Sequence, residues 1–296
     1  MQNYLLVISF GVVAGFLARW IMLRSDYRHY PTYPHGQLTH LALGFIAACL
    51  GAVAVPAIAK PDYVAVTFLA LAAQQFREIR SMERNTLESQ ESTKLIRRGN
   101  DYIEGIARVF EARNYLTILT ALITSGVVQI FSWPYAFIAA AICIYGSVKF
   151  MSGRKIGDIA DIVPAQVHFD KSLLMVDDVV IMNVGLEQIR QKIEKDGMGV
   201  LIKPKNDNAR LTLDVPGQRM AIIHDVVSIL GSKVDMNEMD LAPLARKQVD
   251  KGYLGLFLVA NEPDIQYLIE IIKRVPVLES AQGTTLSSFY GKKAAD

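Results

Sequence analysis

Apolar residues are concentrated in the first half of the chain, where five runs alternate with polar segments. The runs cover residues 4–23, 38–59, 63–75, 116–131 and 135–150. A membrane-spanning helix needs about 20 apolar residues, with a range of about 17–25. The first two runs meet this length and the last two lie near its lower limit. The third meets it only if the polar residues that follow join the same helix. The pattern therefore predicts a polytopic α-helical membrane domain of about five spans.

Basic residues predict the orientation of these spans. Arg24 and Arg28 lie between the first two runs, and segment 76–114 holds eight further Lys and Arg residues, whereas the opposite connections hold only Lys60. Cytoplasmic segments carry the excess of Lys and Arg. Five spans with the N-terminus outside place every basic segment in the cytoplasm, together with the C-terminal half. A re-entrant third run would change this parity and conflict with the charge of segment 76–114.

Composition narrows the function classes. The net charge is only +2, so no bulk field favours binding to nucleic acid. Cys49 and Cys143 lie in apolar runs, where buried or lipid-facing thiols are a simpler interpretation than a disulfide or a metal pair. No positive charge precedes the first run and no small-residue cleavage site follows it. This run is therefore predicted to be a retained anchor and not a cleaved signal peptide.

After Arg154-Lys155, short segments replace the long apolar runs. Short strands are predicted within 166–182, followed by helix 186–193, strands 199–203 and 211–215, helix 220–230, strands 233–236 and 253–260, helix 265–272 and strand 275–281. Two consecutive strand–helix–strand units are the order of a split βαβ, ferredoxin-like sandwich. Small-molecule regulatory domains of the ACT type share this order, although a fold analogy does not identify a ligand.

We therefore expect two domains. Residues 1–155 form a helical membrane domain with a cytoplasmic helical tether at 76–114, and residues 156–296 form a cytoplasmic α+β domain, ferredoxin-like in its order. His224, which precedes Asp225 on predicted helix 220–230, is interpreted as a structural residue.

The loop before the second run contains three histidines, His29, His35 and His40. Their spacing fits no zinc pattern, because ligand pairs on one helix need a separation of three or four residues. We therefore predict no metal, and anchoring at the membrane interface is the simpler interpretation. The same polar loop contains Asp26 and Arg28, and Arg77 follows the third run.

A helix is predicted from Asn100 or Asp101 onwards, and two of its carboxylates form a candidate catalytic pair. Glu104 and Glu111 share a face with Arg108. Two carboxylates near a membrane can activate water if their surroundings separate their pKa values. In the alternative interpretation, Glu104 takes part in a capping box and Glu111 pairs with Arg108.

Several segments together resemble one family. Residues 102–107 read Tyr-Ile-Glu-Gly-Ile-Ala, and the matching segments around them are 26–28, 33–36, 67–77 and 110–116. This combination resembles the YIEGIA family of endospore-forming Firmicutes, densely over the membrane half and more loosely over 160–296. The resemblance implies a sporulation-associated membrane protein and suggests a part in controlling protein levels by proteolysis. The candidate binding or structural polar cluster comprises Asp26, Arg28, His29, His35, His40, Arg77, Tyr102, Arg113 and Asn114.

Two functions from different classes follow. The first is a regulator or scaffold that acts through residues 156–296 on a protein partner or a small metabolite. The second is a membrane-embedded protease or protease subunit, although no HExxH, no GxSxG and no Gly-Asp within an apolar run is present. A small transporter ranks lowest because matching inverted halves are not visible. The lipid bilayer is the expected environment, homo-oligomers are compatible with the sequence, and no cofactor is identified.

Overall fold

The computed structural model describes residues 4–23, 34–60, 63–76, 78–235 and 239–283, together with 289, 290 and 293. The chain divides into two compact units. The helical unit comprises residues 1–86 and 106–152. The α+β unit comprises residues 87–105 and 153–296. Segment 87–105, from within the predicted tether, thus belongs to the same unit as the C-terminal half.

In the described part of the first 152 residues, the helices are α1 (Tyr4–Leu23), α2 (Pro34–Ala59), α3 (Tyr63–Phe76), α4 (Ile79–Glu91), α5 (Asn100–Ile130) and α6 (Trp133–Phe150). Helix α5 begins where the sequence predicts, and the stripe Ile103, Ile106, Ala107 and Phe110 is buried as expected. Helix α6 begins with Pro134 in its first turn, where the missing N–H costs no hydrogen bond.

Three of the described helices are long and apolar enough to cross a membrane: α1, the Gly36–Ala59 part of α2, and α6. The expectation of about five spans is not supported in the described residues. Helix α3 has 14 residues, which is about 21 Å at 1.5 Å per residue and shorter than a hydrocarbon core of about 30 Å. Helix α5 is long enough, but its apolar part is interrupted by hydroxyl side chains. The three candidate helices indicate association with a membrane.

Small residues bring α1, α2 and α5 into close contact. A Cβ added at Gly15 of α1 would lie 2.9 Å from the Cβ atoms of both Ala121 and Ala48. A Cβ added at Gly51 of α2 would lie 2.2 Å from the carbonyl oxygen of Ile118. Side chains larger than hydrogen therefore do not fit at these crossings, as is typical of helices that pack in lipid. The hydroxyl groups of α5 lie on this buried side: Thr117, Thr120, Thr124 and Ser125.

The described residues of the α+β unit form two antiparallel sheets. Its strands are β1 (Ala160–Ala165), β2 (Val167–Asp170), β3 (Leu173–Val176), β4 (Val179–Asn183), β5 (Gly197–Pro204), β6 (Leu244–Lys247) and β7 (Leu254–Val259). Strands β1-β5-β7-β6 form the larger sheet and β2-β3-β4 form a meander. The helices are α7 (Ile156–Ile159), α8 (Glu187–Asp196), α9 (Asp207–Asp214), α10 (Pro216–Leu230) and α11 (Ile265–Arg274).

The larger sheet is covered on both faces. Alternate residues of a strand point to opposite faces, so Leu254, Leu256 and Leu258 of β7 pack in one core with α10 and α11. Phe257 and Val259 pack in a second core with the meander. Strand β7 is therefore buried along its whole length, which confirms the buried strand predicted at 253–260.

The α+β class is confirmed. Strand β7 lies between β5 and β6, which are connected through α9 and α10, so this part of the unit has the split βαβ arrangement, although several predicted elements differ. The predicted strand 211–215 lies mostly in helix α9, because the side chain of Asn206 caps that helix by accepting from the backbone N–H of Ala209 at 2.9 Å. Residues 233–235 form no strand, and Pro276 makes only an isolated bridge with Lys155. Strands β1 and β6 were not predicted. The alternation of leucines at 211 and 213 resembled a strand, but Leu213 is buried from a helix.

Candidate functional site

Within the α+β unit, segment 87–105 is held against α10 by a set of polar side chains. We call this set the α5–α10 contact. It comprises Glu91, Arg98, Asp101, Tyr102, Gly217, His224 and Asp225.

Tyr102, the first residue of the six-residue family motif, makes the best-defined hydrogen bond of the contact. Its hydroxyl donates to the carboxylate of Asp225, at 2.9 Å from Oδ1 and 3.0 Å from Oδ2. The Tyr102 side chain is 2% exposed. Its ring meets the ring of His224 edge-on, with 6.2 Å between centroids. A buried hydroxyl needs a partner, and this one finds it 123 residues away in sequence.

Arg98 is buried and makes the second set of polar interactions in the contact. Its Nε–H group donates to Nε2 of His224 at 3.4 Å, and Nε lies 3.2 Å from Oε1 of Glu91. The backbone N–H of Arg98 also donates to Oε2 of Glu91, at 2.5 Å. One buried carboxylate thus compensates the Arg98 charge and fixes the link between α4 and α5, which offsets the cost of removing both charges from water.

Asp101 lies against the N-terminus of α10. Val215, which precedes this helix, provides no side-chain cap. A Cβ added at Gly217 would lie 2.1 Å from Oδ2 of Asp101. Only glycine therefore lets the carboxylate come this close, and a negative charge there is stabilised by the helix dipole.

A cleft of about 740 Å³ adjoins the α5–α10 contact. Its polar lining residues are Glu88, Glu91, Ser92, Arg97, Asn100 and Asp101, and its apolar ones are Ile103, Pro216 and Met220. Ligand sites are typically of this size and combine apolar walls with a few polar groups. The cleft can therefore hold a small polar molecule or a side chain of a protein partner.

A second group of polar side chains lies within the helical unit. We call Arg19, His40, Phe110, Arg113 and Asn114 the arginine cluster. A nitrogen of the Arg19 guanidinium lies 3.4 Å from Nδ1 of His40, and the guanidinium lies over the Phe110 ring at 5.4 Å. The Phe110 ring also meets His40 edge-on at 4.8 Å. Phe110 therefore links a cation of α1 to a histidine of α2.

The remaining members of the arginine cluster are buried on α5. Arg113 is buried and follows Phe110 by three residues, so both lie on one face of α5. Asn114 is 1% exposed, and neither Nδ2 nor Oδ1 has a hydrogen-bond partner among the described residues. Gly44 of α2 makes room for Arg19, because an added Cβ there would lie 2.3 Å from its Cγ.

The two carboxylates proposed as a catalytic pair lie on α5. Glu111 has a partly exposed side chain, 3.9 Å from Nη1 of Arg80. Glu104 is half-buried and belongs to the α+β unit. Along the helix axis they are about 10.5 Å apart at 1.5 Å per residue. Their catalytic role stays a prediction.

The structure separates the predicted polar cluster. Tyr102 belongs to the α5–α10 contact, whereas His40, Arg113 and Asn114 lie together in the arginine cluster. Asp26, Arg28, His29 and Arg77, and the side chain of His35, lie outside the described residues. The residues that the structure describes contain no group of three His, Cys, Asp or Glu side chains that could hold a metal.

Sequence reasoning missed Arg19, Glu91, Arg98 and the partner residues on α10. Arg19 was visible as the one charge within the first apolar run, and such charges usually face the interior of a helix bundle. Arg98 and His224 are 126 residues apart, so no local pattern indicates their contact.

These features define a membrane-associated helical protein with a buried polar contact and a cleft in its α+β unit. Comparison with known proteins identifies the family of this chain. The YIEGIA protein family matches residues 7–288. The chain is also 44% identical over 281 residues to the "Uncharacterized protein YphB" of Bacillus subtilis (strain 168), covering 95% of both chains. No solved structure matches the chain. The chain therefore belongs to the YIEGIA family.

We expect Tyr102→Phe to loosen segment 87–105. The change leaves the Asp225 carboxylate without its donor, and a hydrogen bond to a charged group contributes about 1.5–3 kcal/mol. Local opening should therefore increase about 10- to 100-fold, measured as the rate of tryptic cleavage after Arg97 and Arg98 in the full chain. Tyr267→Phe is the matched control, because Tyr267 is exposed on α11. Equal cleavage rates for both variants would contradict the contact.

Proposed function

We propose that this protein is a sporulation-associated, multi-pass membrane regulator that acts through its α+β unit on the cytoplasmic side. The association with sporulation is the expectation that the resemblance to the YIEGIA family implies. The observation that carries the regulatory role is the α5–α10 contact beside the cleft. It ties the first turn of α5 to the α+β unit, and the same helix continues for 31 residues in all.

Helix α5 connects the two units, so a change in the α+β unit can be coupled to the helical unit. Residues 100–105 of α5 belong to the α+β unit and residues 106–130 belong to the helical unit. Asn100, Asp101 and Ile103 in this first turn also line the cleft. A ligand or partner that binds the docked state better than the released state would shift the equilibrium between them. The change would then act on a helix that both units share.

The polar character of the α5–α10 contact is compatible with reversible docking of segment 87–105 on α10. Its members are charged or hydrogen-bonding side chains, and buried ion pairs contribute little net stability because desolvation opposes their attraction. The docked and released states can therefore differ by a small free energy. A ligand at the cleft would then need only a correspondingly small difference in affinity between the two states to shift the equilibrium between them.

The proposed topology in the bilayer follows from which segments of the chain belong to the same unit. Segment 87–105 and residues 153–296 form one compact unit, so both lie on one side of a bilayer. The chain between them must cross an even number of times. If α6 crosses, the apolar part of α5 crosses with it as a hairpin. Its hydroxyl side chains are buried against α1 and α2 and away from lipid.

With the N-terminus outside, α3 must also cross. Its 14 residues are shorter than the hydrocarbon core, so this crossing requires residues that flank α3 or a local thinning of the bilayer. The proposal then has five spans. Single cysteines in a variant without Cys49 and Cys143 test this with a membrane-impermeant maleimide on protoplasts. We expect Gln2→Cys to be labelled directly, and Ser92→Cys and Asp250→Cys only after permeabilisation. Labelling of positions 92 and 250 on opposite sides would exclude the hairpin. Protection of position 2 would exclude five spans.

Filling the cleft tests the regulatory site. Met220→Trp places a large ring at the cleft, whereas Ile229→Trp changes an exposed position on the same helix outside it. We expect cells with Met220→Trp to form heat-resistant spores at the yield of a deletion strain, with normal amounts of protein in the membrane. Ile229→Trp should match the wild type. A wild-type yield for both variants would contradict a function at the cleft.

A second candidate function is a membrane protease or protease subunit. The observation that favours it is Glu111, a partly buried carboxylate beside Arg80 in the helical unit. Proteomes of sporulating cells with Glu104→Gln or Glu111→Gln should then accumulate the proteins that a deletion strain accumulates. Glu187→Gln, at an exposed position on α8, is the control. No accumulated protein in the deletion strain would exclude the protease.

A further inference from the structure

The cleft beside the α5–α10 contact contains two opposite charges that have no partner among the described residues. Its lining includes the guanidinium group of Arg97 and the carboxylate of Asp101. Neither side chain makes an ion pair or a hydrogen bond within the part of the chain that the structure describes. We propose that this cleft binds a free α-amino acid with an apolar side chain. The inference rests on the proposed function, because it names the ligand class of the same site.

The two free charges of the cleft match the two charged groups of an amino acid. A guanidinium group has five N–H donors and binds a carboxylate through paired hydrogen bonds. The Asp101 carboxylate can accept hydrogen bonds from an ammonium group. Arg97 is exposed and Asp101 is partly exposed, so a small molecule can reach both. Since they form no ion pair with each other, the cleft leaves room for a ligand between them.

The other acidic side chains of the cleft are already engaged. Glu91 is buried, and its charge is compensated by Arg98 and Lys94, each of which has a side-chain nitrogen 3.2 Å from Oε1. Glu88 is exposed and interacts with other groups. One cation and one carboxylate therefore remain for a ligand, which favours a zwitterion over an anion or a cation.

The apolar lining of the cleft favours an apolar ligand side chain. It consists of Ile103, Pro216 and Met220, none of which carries a strong hydrogen-bonding group in its side chain. Ile103 is buried by the packing of α5, whereas Met220 is 39% exposed, and its flexible thioether can adjust to ligands of different shape. Each CH₂ group that a ligand buries against these residues contributes to binding. A charged ligand side chain would lose its hydration there without gaining a partner.

A ligand in the cleft would contact both sides of the α5–α10 contact. Arg97 and Asp101 belong to segment 87–105, whereas Pro216 and Met220 belong to α10. Release of segment 87–105 would separate these two halves of the site. The amino acid would therefore bind the docked state better than the released state, and this difference in affinity is what shifts an equilibrium between two states.

Melting temperatures of the full chain in detergent test the ligand class. We expect at least one of L-leucine, L-methionine and L-phenylalanine to raise the melting temperature, because a ligand that binds only the folded protein stabilises it. Two analogues of leucine should bind at least tenfold more weakly: 4-methylpentanoate, which lacks the ammonium group, and 3-methylbutylamine, which lacks the carboxylate. No shift with any of the three amino acids would overturn the proposal. Equal binding of leucine and either analogue would overturn it as well.

Two charge variants localise the effect. Arg97→Gln and Asp101→Asn each remove one charge of the cleft, so each should weaken binding of the responding amino acid at least tenfold. Arg97 is exposed, so its replacement requires no repacking. Arg246→Gln on β6 and Asp250→Asn change exposed positions outside the cleft and should bind like the wild type. Unchanged binding in either cleft variant would overturn the site.

The binding measurements are independent of the spore assay of Met220→Trp. If no amino acid binds but Met220→Trp lowers the spore yield, only the ligand class is overturned and the regulatory cleft stands. If an amino acid binds but Met220→Trp leaves the yield unchanged, the ligand site stands and its regulatory function is contradicted. The failure of one proposal can therefore be told from the failure of the other.

Discussion

The hydrogen bond from Tyr102 to Asp225, together with the ion pair between Arg98 and Glu91, is the constraint on which the rest of the structure depends. These contacts make segment 87–105 a part of the α+β unit. Without them, α5 would begin as an independent helix after a charged linker. The contacts are polar and buried, so their geometry is specific, whereas their net contribution to stability is modest. Gly217 adds a steric condition, because only its missing side chain lets Asp101 approach α10.

This constraint also limits how the chain can lie in a bilayer. A segment in the middle of the sequence and the C-terminal half must share one side of the membrane, because they share one folded unit. The hydroxyl side chains that make α5 a poor candidate span by composition face α1 and α2, where Gly11, Gly15 and Gly51 allow close approach. The surface that α6 leaves exposed is apolar and aromatic, as lipid requires: Phe137, Ile138, Ile142 and Tyr145. This packing is compatible with the proposed crossing of α5 and α6 as a hairpin.

The sequence predicts those parts of the fold whose signal is local and periodic. The runs that became α1 and α6, the stripe of α10 and the buried strand β7 were all visible, because each repeats with the period of its own secondary structure. Helix α9 was mistaken for a strand because alternating leucines outweighed the cap at Asn206. Family resemblance singled out Tyr102 but not Asp225 as its partner. Arg98 and His224 meet only through the tertiary fold, which no pattern within a short window records.

The backbone N–H of Arg98 gives the most direct test of the central claim, that segment 87–105 is docked by buried polar contacts. This group lies in the non-helical link between α4 and α5, and it donates to the Glu91 carboxylate. Residue-resolved hydrogen exchange of the full chain in detergent should show this amide exchanging at least a hundredfold more slowly than those of Ser92 and Thr93 in the same link. Exchange of all three at one rate would contradict the account, because Arg98 would then belong to an open tether.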